Sequence, residues 1–585
     1  MSGGTVGAPV PRFERRAVVA DGALASELHP VVARVYAARA VRDRGEVDYG
    51  LAGLAPYTML GSLDVAAERL AAAICGDERI LVVGDFDADG ATGCAVAVLG
   101  LRALGARHVG YLVPNRFEYG YGLTPEIAEV AAEAAPDLLV TVDNGVSSVD
   151  GVAAARAAGI AVIVTDHHLP GEVLPAADAI VNPNLPGDPF PSKALAGVGV
   201  VFYLLGAVRV LLRDAGWFGG AGPAEPRLAE LLDLVALGTV ADLVPLDRNN
   251  RILVAQGLAR IRAGRCRPGL LALLEVAGRD HRRAVASDLA FAAGPRLNAA
   301  GRLADMALGI ECLLCDDRDA AREMATRLDE LNRERRTLEA EMQAQALVHL
   351  EAALADAAGA GGLPYGVALY DPQWHQGVIG ILAARVRERV HRPVVAFAPD
   401  GTGMLKGSGR SIPGLHLRDA LAAVDARHPG VIERFGGHAM AAGLTLRPDD
   451  LDAFRAAFDA EVERAIPAEA LEGVVLTDGE LAEAEISIEV ARALRDAGPW
   501  GQGFPEPLFD GDFEVLGTRV VGRDHLKLAL RVPGGRRTLD AIAFRAAEQL
   551  PPEPPRRARL AYRLALDEWN GRERVQLVVE HLVLD

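Results

Sequence analysis

Acidic residues and histidines with the types and spacing of metal ligands occur in four clusters in the first half of the chain. The clusters are Asp85-Phe-Asp87-Ala-Asp89, Asp143, Asp166-His167-His168 and Asp242. Three carboxylates two residues apart repel one another unless a cation neutralises them. Carboxylates with one or two imidazoles and no thiolate favour Mn²⁺ or Mg²⁺ over structural zinc. Enough ligands are present for two ions, the arrangement that holds the attacking and leaving oxygens in phosphoryl transfer.

Each cluster taken alone also has an ordinary structural interpretation. An Asp-rich turn is most often a solvated loop, and adjacent histidines are as often a hydrogen-bonded polar pair as a pair of ligands. A metal site is therefore expected only if the fold brings the clusters together.

Short apolar runs alternate with Ala-rich helical segments over residues 61–250, and this alternation predicts a mostly parallel sheet covered by helices on both faces. The predicted strands are Ile80–Val83, Val109–Val113, Leu138–Val142, Ala161–Val164 and Ala179–Val181. Ligands bind such sheets beyond the carboxyl ends of the strands. The first three clusters and Pro114-Asn115-Arg116 follow these strands directly. We therefore expect them at one edge of the sheet.

The remainder of the chain predicts an α/β protein with further parts. Residues 316–358 predict a long connecting helix, because their apolar positions step by three and four residues. A second α/β unit follows, with strands at Gly366–Tyr370 and Val394–Phe397 around a helix near Val378–Val390. Beyond about residue 470, five short alternating strands predict a β-barrel resembling an OB-fold. We expect Phe513 and Phe544 in the barrel core.

The composition restricts the class of protein. The 585 residues are 50% hydrophobic and 24% charged, which is typical of a globular protein with about three or four domains. Five cysteines without a disulfide framework, no apolar run long enough to cross a membrane and no signal-peptide pattern predict a reduced, cytoplasmic protein. The net charge of −18 argues against coating of nucleic acid by general attraction, although a local basic groove is compatible with it.

Four motifs occur in the order found in the DHH phosphoesterase family, and the chain resembles that family through them. They are VVGDFDADGAT at Val82–Thr92, VDNG at Val142–Gly145, TDHH at Thr165–His168 and GTVAD at Gly238–Asp242. The resemblance implies metal-dependent hydrolysis with two manganese ions, or Mg²⁺. The implied ligands are Asp87, Asp89, Asp143, His167 and Asp242, with Asp143 bridging the ions.

Two further residues of the site receive roles from the same resemblance. His168 would lie beside the scissile phosphate or hold the ligand shell. Pyrophosphatase-type members of the family carry a histidine at the position of Val83, and we infer that Asp85 supplies that contact here, directly or through water.

Groups that could hold phosphate accompany the metal motifs. Gly294–Arg302 is expected to be a loop-like segment with two guanidinium groups, and Lys406–Ser411 a Gly-rich turn; Arg forks and glycine backbones of this kind suit phosphate oxygens. Taken alone, each of these two segments is equally consistent with a surface loop that contains structural ion pairs. Gly407–Gly414 and Gly436–Gly443 resemble the DHHA1 domain, which implies phosphate binding across a cleft from the metals. The candidate substrate-binding residues are Asn115, Arg116, Arg296, Asn298, Arg302, Ser408, Arg410, Ser411 and His438.

Asn182-Pro-Asn184, Gly294–Arg302 and Pro499–Pro507 match the single-strand DNA exonucleases of the family more closely than its smaller members. The implied activity is 5′-to-3′ hydrolysis of single-stranded DNA to 5′-mononucleotides in DNA repair and recombination. The implied partners are single-stranded DNA, a single-strand binding protein and a helicase, with a monomeric enzyme and no membrane. The alternatives are an oligoribonuclease or dinucleotide phosphodiesterase, and a non-catalytic replication or repair scaffold.

These observations together predict five regions along the chain. They are an amino-terminal leader at 1–60, a DHH catalytic domain at 61–315, the connecting helix at 316–358, a DHHA1 domain at 359–468 and an OB-fold nucleic-acid-binding domain at 469–585.

Overall fold

The computed structural model describes residues 12–18, 24–114, 122–220, 222–357, 364–467, 471, 473–569 and 572–585. These residues form two compact units. We call Val18–Asn332 with Ser487–Pro507 the amino-terminal unit. We call Arg333–Ile486 and Leu508–Asp585, together with residues 12–17, the carboxyl-terminal unit.

Seventeen strands are present in the described part of the chain. They are β1 (Arg12–Arg15), β2 (Ile80–Gly84), β3 (Val109–Leu112), β4 (Leu138–Val142), β5 (Ala161–Thr165), β6 (Ala179–Val181), β7 (Val367–Tyr370), β8 (Val394–Pro399), β9 (Leu405–Arg410), β10 (Arg434–Gly437), β11 (Ala441–Leu446), β12 (Val474–Thr477), β13 (Phe509–Val521), β14 (His525–Arg531), β15 (Leu539–Ala543), β16 (Arg557–Trp569) and β17 (Arg572–Leu584).

The same described residues contain seventeen α-helices. They are α1 (Pro30–Ala37), α2 (Leu63–Cys75), α3 (Ala88–Leu104), α4 (Pro125–Glu133), α5 (Val149–Ala157), α6 (Gly197–Asp214), α7 (Leu232–Ala241), α8 (Arg248–Arg262), α9 (Pro268–Val276), α10 (Ala286–Asp288), α11 (Gly294–Leu303), α12 (Ala307–Leu314), α13 (Arg318–Ala357), α14 (Ile379–Val390), α15 (Leu417–Arg427), α16 (Leu451–Ala465) and α17 (Ile488–Asp496). None of them is long and apolar enough to cross a membrane.

The amino-terminal unit is built on a five-stranded sheet in the order β3-β2-β4-β5-β6, with every neighbouring pair parallel. The predicted α/β class is confirmed, and each of the five predicted strands is present within one residue of its expected end. Strands β2 and β4 are buried along their whole length, as expected of a parallel sheet covered on both faces.

Helix α3 lies at the centre of this unit, where it packs against α6 and α7. Two glycines allow this close packing. A Cβ on Gly93 would lie 2.4 Å from Val142 Cγ1 of β4, and a Cβ on Gly238 of α7 would lie 2.2 Å from Thr92 Oγ1. The helices therefore approach the sheet and one another closely, and this fixes the residues at their ends.

The carboxyl-terminal unit contains a second sheet and a closed barrel. The sheet has the order β10-β11-β9-β8-β7, in which only β7 and β8 are parallel. The barrel closes in the order β13-β14-β15-β17-β16. Its five strands confirm the predicted OB-like barrel. Phe513 is buried in the barrel as expected, but the prediction for Phe544 is wrong, because its ring is 55% exposed and lies edge-on to His525.

Two segments predicted to be loops are regular structure. Gly294–Arg302 lies in helix α11, and Lys406–Arg410 lies in strand β9. In both segments the glycines provide room for a neighbour instead of a bend. A Cβ on Gly407, for example, would lie 2.5 Å from the ring of Phe397 and 2.7 Å from Leu444. Glycine inside a strand often marks such a close approach.

Residues 487–507, which the sequence places with the barrel, belong to the amino-terminal unit. Trp500 stacks on Phe504 with 5.1 Å between ring centroids, and the Arg251 guanidinium lies 4.2 Å from the Phe504 ring centroid. The Leu246 N–H donates to Gln502 O at 2.7 Å. These aromatic residues therefore pack within the amino-terminal unit and are not part of the barrel.

Candidate metal centre

The strand register of the amino-terminal sheet brings three of the acidic clusters to one level. Gly84 of β2 pairs with Val142 of β4, and Val142 pairs with Thr165 of β5. The next residues along the three strands are Asp85, Asp143 and Asp166. These three residues therefore lie at the same edge of the sheet, as the sequence predicts for the carboxyl ends of parallel strands.

Two aspartates of the first cluster, Asp87 and Asp89, are held by the ends of helices. Asp87 caps α3, and its carboxylate accepts hydrogen bonds from the N–H groups of Asp89 and Gly90 at 2.9 and 3.0 Å. The Asp89 carboxylate is fully buried and accepts hydrogen bonds from Gly197 N at 2.6 Å and Val198 N at 2.9 Å. These two amides begin α6, so the positive end of a second helix also faces this negative charge.

Asp143 occupies the middle of the site in a left-handed backbone conformation, with φ +64°. A non-glycine residue in this region is uncommon and is often found at functional sites. Gly197 makes room for it, since a Cβ at that position would lie 2.6 Å from Asp143 Cβ. The conformation places the buried Asp143 carboxylate close to the ring of His167.

His167 connects three of the carboxylates. Its Nε2 atom lies 3.0 Å from Asp143 Oδ1, 3.5 Å from Asp242 Oδ2 and 3.9 Å from Asp89 Oδ2. Asp242 reaches the site from the carboxyl end of α7, where it is the helix cap. Three groups of ligand atoms have all their members within 4.8 Å of one another: Asp143 with His167 and His168, Asp89 with His167 and Asp242, and Asp85 with Asp87 and Asp143.

The carboxylates of this centre are held at an electrostatic cost. Burial raises the pKa of Asp89 to about 7, and the neighbouring Asp87 raises it as well. Burial and repulsion from Asp89 and Asp87 raise the pKa values of Asp143 and Asp242 well above the ordinary range. Bound divalent cations would offset this repulsion, and the carboxylate oxygens with one or two imidazoles suit Mn²⁺ or Mg²⁺. The residues present therefore fit a two-ion centre.

Asp166, which is not among the ligands that the resemblance implies, has a positioning role. Its Oδ1 atom accepts hydrogen bonds from the backbone N–H of His167 at 2.7 Å and of His168 at 3.1 Å, and lies 2.8 Å from His168 Nδ1. Burial lowers the pKa of His168, but the hydrogen bond and the charge of Asp166 outweigh that effect and raise it. Asp166 therefore orients both histidines and favours the protonated form of His168.

Two asparagines after strand β6 hold the same turn from the other side. Asn182 Nδ2 donates to the His168 carbonyl oxygen at 2.9 Å, and Asn184 Nδ2 donates to the His167 carbonyl oxygen at 2.5 Å. Their signal in the sequence is their position, because they directly follow the last apolar run of the sheet.

Helix α11 supports the loop Asp85–Asp87, which we call the metal loop. It does not form an open phosphate-binding loop. Asn298 Oδ1 accepts a hydrogen bond from the Ala88 N–H at 2.8 Å, at the start of α3. A Cβ on Gly301 would lie 2.0 Å from the Phe86 carbonyl oxygen, so the helix packs directly on the loop backbone. Arg296 forms a buried ion pair with Asp329 at 2.7 Å, and Arg302 is half-buried. Asn115 and Arg116 lie outside the described residues.

The candidate phosphate residues of the carboxyl-terminal unit cluster at the end of β9. The Arg410 guanidinium donates to Ser408 Oγ at 3.2 Å and to Gly409 O at 2.8 Å. Ala441 pairs with Arg410 and its carbonyl oxygen accepts a hydrogen bond from the N–H of His438, an exposed residue. Ser411 is different, because its buried hydroxyl donates to the Leu415 carbonyl oxygen at 2.8 Å and so braces the following turn.

Replacing Asp143 with Asn tests the electrostatic description of the centre. Removing one negative charge relieves repulsion, so in the presence of a chelator Asp143→Asn should unfold at the same temperature as the wild type or higher. With Mn²⁺ at about 100 times its dissociation constant, the wild type should gain about 3 kcal/mol and the variant should lose most of that gain. Thermal unfolding with and without Mn²⁺ measures both effects. The control is Asp150→Asn, an exposed aspartate of α5. A variant that keeps the full Mn²⁺ stabilisation would contradict the assignment of Asp143.

Replacing Gly301 with Ala tests the support from α11. The added methyl group cannot fit against the Phe86 carbonyl oxygen, so the metal loop must move, and we expect a destabilisation of about 1–3 kcal/mol. The affinity for Mn²⁺, measured by calorimetry, should fall at least tenfold. The matched control is Gly206→Ala in α6, where a Cβ would meet no atom within 4 Å. Unchanged Mn²⁺ affinity in Gly301→Ala would show that α11 does not position the loop.

Three family models match the chain in order. The DHH family N-terminal domain matches residues 79–239, the DHHA1 domain matches residues 362–464 and the RecJ OB domain matches residues 477–581. The first match contains every candidate metal ligand except Asp242.

The chain is also similar to proteins over nearly its whole length. It is 58% identical over 569 residues to the single-stranded-DNA-specific exonuclease RecJ of Dickeya dadantii, covering 97% of this chain and 98% of that protein. It is 54% identical over 572 residues to the Escherichia coli protein of the same name, covering 98% and 99%. The crystal structure of Thermus thermophilus RecJ in complex with Mn²⁺ matches with a TM-score of 0.80 at 32% identity, covering 98% of this chain and 79% of that chain. The corresponding Mg²⁺ complex matches with a TM-score of 0.74 at 31% identity, covering 98% and 78%. The chain therefore belongs to the RecJ family of the DHH phosphoesterases.

Proposed function

We propose that this chain is a metal-dependent exonuclease that degrades single-stranded DNA from its 5′ end and releases 5′-mononucleotides. The observation that carries the proposal is the convergence of His167 with the buried Asp89 and Asp143 and with the partly exposed Asp242. The relatives named single-stranded-DNA-specific exonuclease support the choice of substrate.

The ligand assignment comes from the resemblance to the DHH family, and the distances within the centre support it. Asp87, Asp89, Asp143, His167 and Asp242 would hold two ions, Mn²⁺ or Mg²⁺, with Asp143 as the shared ligand and Asp85 completing the group nearest Asp87. When bound, such ions lower the pKa of water and neutralise charge that develops on the phosphate.

His168 is the residue of this centre that we expect to contact the substrate directly. The Asp166 carboxylate lies 2.8 Å from the His168 Nδ1 atom, and the His168 side chain is about one third exposed. Because Asp166 raises the pKa of His168, the ring carries positive charge more readily than a free imidazole. We assign His168 to donate a hydrogen bond to a phosphate oxygen and to hold it in place.

Arg410 is the strongest candidate for recognition of a terminal phosphate. Burial and the nearby Arg387 both lower its pKa. Within the described residues, no carboxylate lies within 4.0 Å of its guanidinium group. Two neighbouring guanidinium groups that lack a shared carboxylate favour an anionic ligand. Arg410 donates to Ser408 Oγ, and the N–H of His438 donates to the carbonyl oxygen of Ala441, the residue that pairs with Arg410. We include Ser408 and His438 in this phosphate site.

The remaining assignments rest on family membership and on the folds of the two units. We propose the regional boundaries given above, with the barrel as the nucleic-acid-binding part, and a monomeric, cytoplasmic enzyme of DNA repair and recombination. A single-strand binding protein and a helicase are the proposed protein partners. Arg116, Asn115 and Arg302 are proposed to contact the strand, and Ser411 to shape the phosphate turn.

Digestion of matched substrates tests the choice of nucleic acid. With Mn²⁺, single-stranded DNA should be degraded at least a hundredfold faster than a blunt duplex of the same sequence. Asp143→Asn should abolish both activities. Release of nucleotides from 5′-labelled and 3′-labelled strands measures rate and direction. Activity confined to two- to five-nucleotide RNA would favour the oligoribonuclease alternative, and no hydrolysis of any substrate would favour the scaffold.

Replacing Arg410 with Ala tests recognition of the strand end. A terminal 5′ phosphate carries more negative charge than an internal diester, so the guanidinium group should favour it. Arg410→Ala should fold normally, slow digestion and remove most of the preference for 5′-phosphorylated over 5′-hydroxyl strands. Initial rates on both substrates, labelled at the 3′ end, measure the preference. Arg418→Ala, at an arginine near the start of α15, is the control. An unchanged preference, or digestion from the 3′ end, would rule out this role.

A further inference from the structure

Two exposed apolar side chains lie on segments that adjoin the metal centre. Leu243 directly follows the ligand Asp242 and is 56% exposed, and Phe291 is 72% exposed. Exposed apolar residues that occur singly on a surface are ordinary. The position and the conformation of these two distinguish them from such residues.

Leu243 is held in a costly conformation. Its φ is +60°, at the position after α7 where helices commonly end on glycine. The backbone is hydrogen-bonded before and after this residue, because Asp242 N donates to Gly238 O at 3.0 Å and Leu246 N, three residues on, donates to Gln502 O at 2.7 Å. The chain therefore presents a leucine to solvent where glycine would be less strained.

Phe291 lies in a segment that packs against the same helix. It belongs to a π-helical segment, Leu289–Ala293, that packs against α7, and such segments are frequent at functional sites. Gly294, which follows the segment, lies so close to Ala241 that a Cβ there would be 3.0 Å from the Ala241 Cβ. Leu289, Ala292 and Ala293 are buried. Phe291 is therefore on the exposed side of the segment, three residues before Gly294, which lies against the residue that precedes Asp242.

We propose that Leu243 and Phe291 form a surface that contacts the bases of the strand hydrolysed at the metal centre. This inference rests on the proposed function, because it assigns the bases of the same substrate. Stacking on aromatic and apolar side chains is tolerant of sequence, since every base has a π-face. Bases in a duplex are already paired and stacked, so they do not offer both faces to such a surface. The surface would thus contribute to the preference for single strands.

Two variants separate this role from a purely structural one. Phe291→Ala and Leu243→Gly should each raise the KM for single-stranded DNA about tenfold with little change in kcat, as expected from loss of a base contact. Leu243→Gly should also unfold at an equal or higher temperature than the wild type, because glycine relieves the backbone strain. A structural role predicts the opposite, namely lower stability and a lower kcat. Leu51→Ala, at another exposed leucine of the same unit, is the control.

A strand with abasic residues at its first three 5′ positions completes the test. The wild type should bind it more weakly than ordinary DNA, and the variants should differ from the wild type by less than about twofold on it, because the contact is already absent. Variants that keep the wild-type KM on ordinary DNA, or whose KM rises equally on both strands, would overturn the base contact and leave the nuclease assignment intact. Failure of the wild type to digest ordinary single-stranded DNA would overturn both.

Discussion

Mutual repulsion among buried carboxylates is the constraint on which this structure depends. Asp89, Asp143 and Asp242 lie within reach of one imidazole, and burial together with repulsion from neighbouring aspartates raises the pKa values of all three. The fold supplies part of the compensation through backbone N–H groups, since Asp87 caps α3 and Asp89 accepts two hydrogen bonds from the start of α6. Divalent cations supply the remainder, so the same charge that destabilises the metal-free centre gives it affinity for metal.

The residues around the ligands fix their directions. Asp166, Asn182 and Asn184 hold the turn that carries the two histidines, while Asn298 and Gly301 of α11 hold the loop that carries the first three aspartates. Metal ligands generally depend on such partners for their orientation. The overall charge of −18 is compatible with a polyanionic substrate, because affinity depends on local groups, the role proposed for Arg410 and His168.

The sequence predicted the parallel sheet and its metal cluster because both follow from local patterns. Apolar runs mark strands, and the acids and histidines that follow these runs meet at one edge whatever the loops between them do. Packing partners were harder to predict. The glycines of Gly294–Arg302 suggested a phosphate loop, but they allow close helix packing, and Arg296 is paired with Asp329 through a contact that no local pattern reveals. Phe544 was misplaced because alternation alone does not tell which neighbour a side chain meets.

The number of bound metal ions shows whether these carboxylates form a two-ion centre. Titration of the metal-free protein with Mn²⁺, followed by electron paramagnetic resonance, counts the bound ions and detects magnetic coupling between ions that share a ligand. We expect two ions per chain with a coupled spectrum, and loss of the coupled signal when Asp143, the proposed bridging ligand, is replaced by Asn. A single uncoupled ion, or a coupled pair that survives this replacement, would contradict a shared two-ion centre.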